Sequence, residues 1–367
     1  MDPRVTRLAT LLLDYSIEVQ AGERVLLRAT GLAAESLVQA LYAGALQRGA
    51  QPVPFLHLDD EDKLALEATE DPALLRAPNP MLLWAYDNVD KIIRIDADTD
   101  PAVLRDYPPH KQEARQATRY ELIYQQLRRL EAGEIKRCTT HFPTAGYAAQ
   151  AGVSLDEYTD RFFAAVKCTE EDPIAAWRAL AADQDDLVRR LAGAKEVRIN
   201  GTHCDLEFSL QGRPADNSCG LHNMPDGEVD IAPLEDSVSG WVEATHPARI
   251  HDTVIEDLRL EFSGGRVSRS SASSGTDILR SALEHDDAAA RIGEIGFGMN
   301  SGITTIQDFE LFDTKIAGML SVSMGQGHTP TGSQNNSPVH WTFLMDLRDG
   351  SEVKVDGAVV LKDGLPV

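Results

Sequence analysis

The chain has 367 residues, 43% hydrophobic and 25% charged, with 58 acidic against 35 basic residues and a formal net charge of −23. This is the composition of an ordinary soluble globular protein and excludes a disordered or fibrous one. The negative field repels nucleic-acid phosphates and anionic lipid, so the expected partners exclude nucleic acid and membrane. The length exceeds what one core usually fills and points to two domains.

The first residues, Met1 to Asp14, place Asp2, Arg4 and Arg7 among apolar positions without a small-residue cleavage site, so they predict an amphipathic helix and not a signal peptide. Arg24 to Arg28 (R-V-L-L-R) predicts a short buried strand, and Ala33 to Arg48 a helix with Gly49 as its stop signal. Strand signals follow at Pro52 to Leu58 and Lys91 to Ile95, with a helical stretch between them. This is a βαβαβ pattern, expected to form a parallel sheet covered by helices. The turn Thr30 to Ala34 (T-G-L-A-A) lacks both G-x-G-x-x-G and a phosphate-loop lysine, so the first half reads as scaffold. Tyr120 to Leu130 reads as helical, Arg137 to His141 as extended, and Leu155 to Val166 and Pro173 to Leu191 as helical.

After Gly193 the texture changes to period-two alternation closed by Asn-Gly, Gly-Gly and Asp-Gly turns, the pattern of antiparallel hairpins. Residues 1–193 are thus expected to form an α/β scaffold domain, and 194–367 an α+β domain with a largely antiparallel sheet. One helix, Asp277 to Ala290, interrupts the second. Cys138, Cys168, Cys204 and Cys219 show no C-x-x-C spacing and fit a reducing compartment as buried free thiols, with Cys204 and Cys219 the one candidate pair for a bridge or a soft metal. No apolar run approaches the ~20 residues of a membrane span, so a cytoplasmic location is expected.

The chemistry-bearing residues lie in the second half. Glu228 follows the Pro-Asp-Gly turn of N-M-P-D-G-E-V. Glu294 lies in the apolar, glycine-rich run I-G-E-I-G-F-G-M-N, where a lone carboxylate is unfavourable without a cation or strong donors. His328 and His340 bracket the polar loop H-T-P-T-G-S-Q-N-N-S-P-V-H, and His222 is a further imidazole close to Glu228. Carboxylates and imidazoles on distant loops are the donors that hold a divalent metal. No nucleophile elbow, H-E-x-x-H or cysteine-histidine protease signature occurs.

Four ordered motifs, N-M-P-D-G-E-V, G-E-I-G-F-G-M-N, L-F-D-T-K-I-A-G and N-N-S-P-V-H-W, resemble those of the thermophilic metallo-aminopeptidases, the aminopeptidase T and S group, over nearly the whole chain. The resemblance implies an N-terminal α/β domain, a C-terminal metal-binding domain, a homodimer and divalent ions that activate water against a peptide bond. It places glutamate ligands at Glu228 and Glu294 and a histidine ligand at His340. Three positions depart: Ser321 stands where the family has a histidine ligand, His328 where it has a tyrosine, and Thr342 where it has an aspartate, while its D-E-K reads Asp313, Thr314, Lys315. What remains suits one ion per chain (zinc, cobalt, manganese or iron(II)), held by Glu228, Glu294 and His340 with His328 as a fourth donor or a catalytic group. The chain is also similar in outline to 2,5-dihydroxypyridine 5,6-dioxygenase.

Three readings follow. The first is a metal-dependent, aminopeptidase-like hydrolase of small peptides or amides; the others are an iron ring-opening dioxygenase on a small molecule, and a catalytically silent homologue that binds or scaffolds.

Overall fold

The apolar runs of the first half build a parallel sheet. In the computed structural model, which describes residues 2–251 and 253–367, Asp2 caps the first helix, α1 (Pro3–Leu11), by accepting from Arg4 N at 2.8 Å. Met1, the first residue of the expected helix, lies outside the described residues. Strand β1 (Arg24–Ala29) is followed by α2 (Glu35–Gln47) and β2 (Gln51–Leu56), then by β3 (Lys91–Asp96) and β4 (Lys136–His141). They pair in parallel in the order β2-β1-β3-β4, and a short strand from later in the chain, Asn223–Met224, adds beside β4. Leu26 and Ile92 of the sheet pack against Leu82, Tyr86 and Leu122 of the covering helices. The helix expected at Tyr120 to Leu130 is the second half of a longer one, Pro109–Glu131.

The chain divides into two units, residues 1–176 with 220–225, and residues 177–219 with 226–367. The change of texture at 191–197 marks where strands begin, while the helix Pro173–Leu191 goes with the second unit from Trp177 on. Within that unit Gln184 is fully buried and its amide nitrogen donates to Ser218 O at 3.1 Å and Glu228 O at 2.6 Å.

The second unit is a β-sandwich. Its strands in chain order are β5 (Val197–Gly201), β6 (Cys204–Phe208), β7 (Ala215–Ser218), then, after the short strand already described (β8), β9 (Glu228–Ile231) and β10 (Ser239–Glu243). A two-stranded hairpin, β11 (Ala248–Ile250) and β12 (Thr253–Ile255), leads to β13 (Arg259–Ser263) and β14 (Arg266–Ser271). The last strands are β15 (Ile292–Gly298), β16 (Met319–Gly325), β17 (His340–Asp346), β18 (Glu352–Val355), β19 (Ala358–Lys362) and β20 (Leu365–Pro366). One antiparallel sheet has eight strands in the order β14-β13-β10-β6-β5-β18-β19-β20; the other has five, β17-β16-β15-β9-β7. Leu206, Val242 and Leu260 of the first meet Ile231, Phe297, Val322 and Phe343 of the second in one buried core.

The helix expected at Asp277 to Ala290 is shorter, Thr276–Leu283. The Asp286 carboxylate accepts from the backbone nitrogens of Ala288 and Ala289, both at 2.8 Å, and so turns the chain where the helix would have continued. All four cysteines are buried and outside any disulfide, so the Cys204–Cys219 bridge is not formed. No helix among the described residues is long and apolar enough to cross a membrane.

Candidate functional site

Period-two alternation gives the five-stranded sheet two unlike faces. Val229, Ile231, Ile295, Phe297, Leu320, Val322, Trp341 and Phe343 turn into the core. The residues between them, Glu228 and Asp230 on β9, Glu294 and Gly296 on β15, Ser321 and Ser323 on β16, and His340 and Thr342 on β17, therefore share the opposite face. Ile292 would break this phase, but a bulge between Ile292 and Glu294 shifts the register, so Ile292 enters the core while Glu294 keeps to the polar face.

Two glycines make room on that face. A β-carbon on Gly296 would stand 2.5 Å from Ser321 Oγ and 2.9 Å from both Asp230 Oδ1 and Glu228 Oε2, so three oxygens border the space its hydrogen leaves. A β-carbon on Gly298 would collide with the carbonyl of Ile316 and lie 2.7 Å from that of Thr314. Its absence lets the segment carrying Lys315 run against β15. That segment is fixed from both sides: Asn300 N donates to Lys315 O at 2.9 Å, and the Asp313 carboxylate accepts from Gln307 N at 2.8 Å and Phe309 N at 2.9 Å. Lys315 Nζ then forms an ion pair with Glu228 Oε1 and donates to Thr314 Oγ1 at 2.9 Å.

The electrostatics follow from three carboxylates and one ammonium sharing a largely buried site. Burial pushes the Glu294 carboxyl up to about 7, with the Glu228 charge adding to it. Asp230, also raised by burial first and then by Glu228 and Glu294, accepts from Ser218 Oγ at 2.7 Å. For Lys315 burial opposes the charged form, but Glu228, Asp226 and Asp230 outweigh it and hold its pKa above the ordinary lysine value.

The two imidazoles stand at the rim, 39% and 41% exposed. His328 Nε2 lies 3.2 Å from Asp216 Oδ2, and His340 Nε2 3.8 Å from Glu310 Oε1. These carboxylates raise both histidine pKa values. Thr342 bridges inward from the rim, donating to Glu310 Oε1 at 2.7 Å and sharing a 2.8 Å hydrogen bond with Ser323. His222 lies in the first unit and is exposed.

Of the residues picked from sequence, Glu228 and Glu294 thus share the buried centre, and His328 and His340 flank it. Asp230, Lys315, Asp216 and Glu310 were not picked. The alternation of E-V-D-I puts Asp230 on the same face as Glu228, and Lys315 stands in the third motif, but no local pattern marks Asp216 or Glu310.

A two-sheet unit with a face of carboxylates, hydroxyls and imidazoles has the donor chemistry of a divalent-metal protein. The chain belongs to the thermophilic metalloprotease (M29) family, matched over residues 1–363. It is similar to aminopeptidase T of Thermus aquaticus, 25% identical over 406 residues that cover 99% of this chain and 96% of that one. It is also similar to aminopeptidase AmpS of Bacillus subtilis (strain 168), 24% identical over 78% of this chain and 75% of that protein. The fold matches wild-type AmpT from Thermus thermophilus with a TM-score of 0.82 at 22% identity, covering 99% of both chains. A 2,5-dihydroxypyridine dioxygenase from Pseudomonas putida KT2440 shares the fold more loosely, with a TM-score of 0.57 at 15% identity over 99% of this chain and 96% of that one.

The family implies a divalent metal. The residues fit one by donor type, and the oxygens of Glu228, Asp230 and Ser321 border one space over Gly296 beside Glu294. Among the described residues, however, no three His, Cys, Asp or Glu side chains are grouped closely enough to hold an ion in this arrangement. Lys315 supplies the positive charge at Glu228, and both imidazoles hold carboxylates of their own.

Proposed function

We propose that the chain is a metal-dependent peptidase acting at the polar face of the five-stranded sheet, releasing N-terminal residues or cleaving a small amide. Glu228, Glu294 and His340 would hold one divalent ion, with His328 beside them. When bound, the ion supplies Lewis acidity, polarising the scissile carbonyl and lowering the pKa of attacking water. Lys315 fixes Glu228 through Oε1 and leaves Oε2 over Gly296. No hydrogen bond among the described residues holds the Glu294 carboxylate, so one of its oxygens would meet the ion while the other stays open to take the water proton as general base. His328, oriented by Asp216, donates to the developing oxyanion.

The observation that carries this reading is the convergence of buried acid oxygens over Gly296 beside Glu294 in a chain of the M29 family. The test is hydrolysis of aminoacyl anilides by the purified protein, abolished by a chelator and restored by zinc, cobalt or manganese. Activity that survives exhaustive chelation, or a Glu294→Gln variant as active as its parent, removes the reading.

The Glu228–Lys315 ion pair and the engaged imidazoles favour a second reading, a homologue that keeps the fold and binds without hydrolysing. Absence of turnover on every anilide and dipeptide with each metal would select it. The dioxygenase reading has no observation of its own beyond the shared fold.

A further inference from the structure

The N-terminal unit, read from sequence as scaffold, holds a cavity of about 400 Å³ at the carboxyl ends of its parallel strands. The chain leaves β1 through α2 to pair β2 on one side, and β3 pairs with the other side of β1. The connections thus diverge between β1 and β3, and the crevice beyond such a switch point is where open α/β sheets take ligands. Arg28 in β1 and Thr30 just after it, Arg94 in β3 and Asp98 after it, and His57 after β2 all line the cavity.

Most charges in its wall are already matched. Arg94 donates to Asp96 at 2.8 Å, Arg115 to Asp62 at 2.6 Å and Glu61 at 3.2 Å, and Arg119 to Asp62 at 2.7 Å. Arg28 is different. Its guanidinium donates to His57 Nε2 at 3.3 Å and to the Tyr86 hydroxyl at 3.1 Å, and no carboxylate among the described residues pairs with it. Opposite in charge are Asp98, which accepts from the Tyr147 hydroxyl at 2.8 Å, and Asp60, which accepts from Thr99 Oγ1 at 3.1 Å; neither forms an ion pair among the described residues, although the Arg94 charge reaches Asp98. Leu82, Leu122 and Ile123 add apolar wall.

We propose that this crevice binds a small zwitterion with an aliphatic side chain, a free amino acid or dipeptide. Its carboxylate meets the Arg28 guanidinium, its ammonium turns to Asp98 and Asp60, and its side chain lies on the leucine wall. A guanidinium fork and a carboxylate set apart in one cavity are the complement of that charge pattern. The volume is of the size that small-ligand sites use. Nothing in this crevice depends on the chemistry of the second unit.

The test is isothermal titration calorimetry of the full-length protein with L-leucine and L-leucyl-glycine, beside N-acetyl-L-leucine and L-leucinamide, which each lack one charge. The zwitterions should bind, both singly charged probes should bind about tenfold or more weakly, and Arg28→Gln or Asp98→Asn should weaken the zwitterions to a similar extent. Asp98→Asn keeps the acceptor for Tyr147, so it tests the charge even if the arginine variant is unstable. Glu294→Gln, in the other unit, should leave the binding intact whether or not the protein is a peptidase. No binding of either zwitterion, binding unchanged in Asp98→Asn, or binding lost in Glu294→Gln would each overturn the proposal.

Discussion

Replacing Lys315 with Met tests the electrostatic reading of the polar face directly. The Lys315 and Glu228 side chains are each 10% exposed, and Asp230 and Glu294 lie close enough to act on one another and on the lysine. Methionine matches the length and apolar stem of lysine, so the main change is loss of the ammonium. Breaking a buried pair by removing one partner costs ~3–5 kcal/mol, because the charge left behind has lost its counter-ion without regaining water. A surface ion pair would cost ~0–1 kcal/mol. At ~2–4 °C per kcal/mol for a domain of this size, the second unit should melt roughly 10 °C lower. Differential scanning calorimetry is the suitable assay because two units need not unfold together. The double variant Lys315→Met, Glu228→Gln should recover part of the loss, with a coupling of ~1 kcal/mol or more between the two positions. A single variant that melts within about 1 °C of its parent would show that the pair is in effect solvated, and the account of Glu228 as a fixed carboxylate would fall with it.

Two further outcomes are expected. Gly296→Ala drives a methyl group among the oxygens of Ser321, Asp230 and Glu228. The protein should stay folded at a cost of ~1–3 kcal/mol, since the crowded atoms belong to side chains and not to backbone, while anilide hydrolysis falls sharply; unchanged turnover would place the reaction elsewhere. In the first unit, His141 is fully buried beside the Tyr158 hydroxyl at 2.8 Å, and burial pushes its pKa down to about 3. The unfolded chain takes up this proton near pH 6.5 and the folded chain only near 3, so stability is retained above that window and lost through it at ~1.4 kcal/mol per pH unit. The melting temperature of the first unit should therefore fall more steeply from pH 6.5 to 4 in the parent than in His141→Gln, and equal slopes would contradict the assignment.

How far the sequence carried depended on the range of the forces involved. The alternation in β5, β6, β13 and β18 was readable because period two is local, and Glu294 stood out because its neighbours are apolar. The bulge that lets Ile292 and Glu294 turn opposite ways was not, since it depends on the register against β16. Lys315 sat in a recognised motif, but its approach to Glu228 spans 87 residues and exists because Gly298 admits the backbone of Thr314 and Ile316. The Asp216 partner of His328 lies 112 residues away, beyond any local pattern. Helix ends failed for a nearer reason: the turn made by Asp286 competes with the helix that propensity alone would extend.

Elemental analysis of the purified full-length chain beside its Glu294→Gln variant bears most directly on the divalent-ion site. About one ion per chain in the parent, largely lost from the variant, is the expected result. A parent free of metal after supplementation, two tightly held ions, or equal content in both proteins would contradict a single ion held by Glu228, Glu294 and His340.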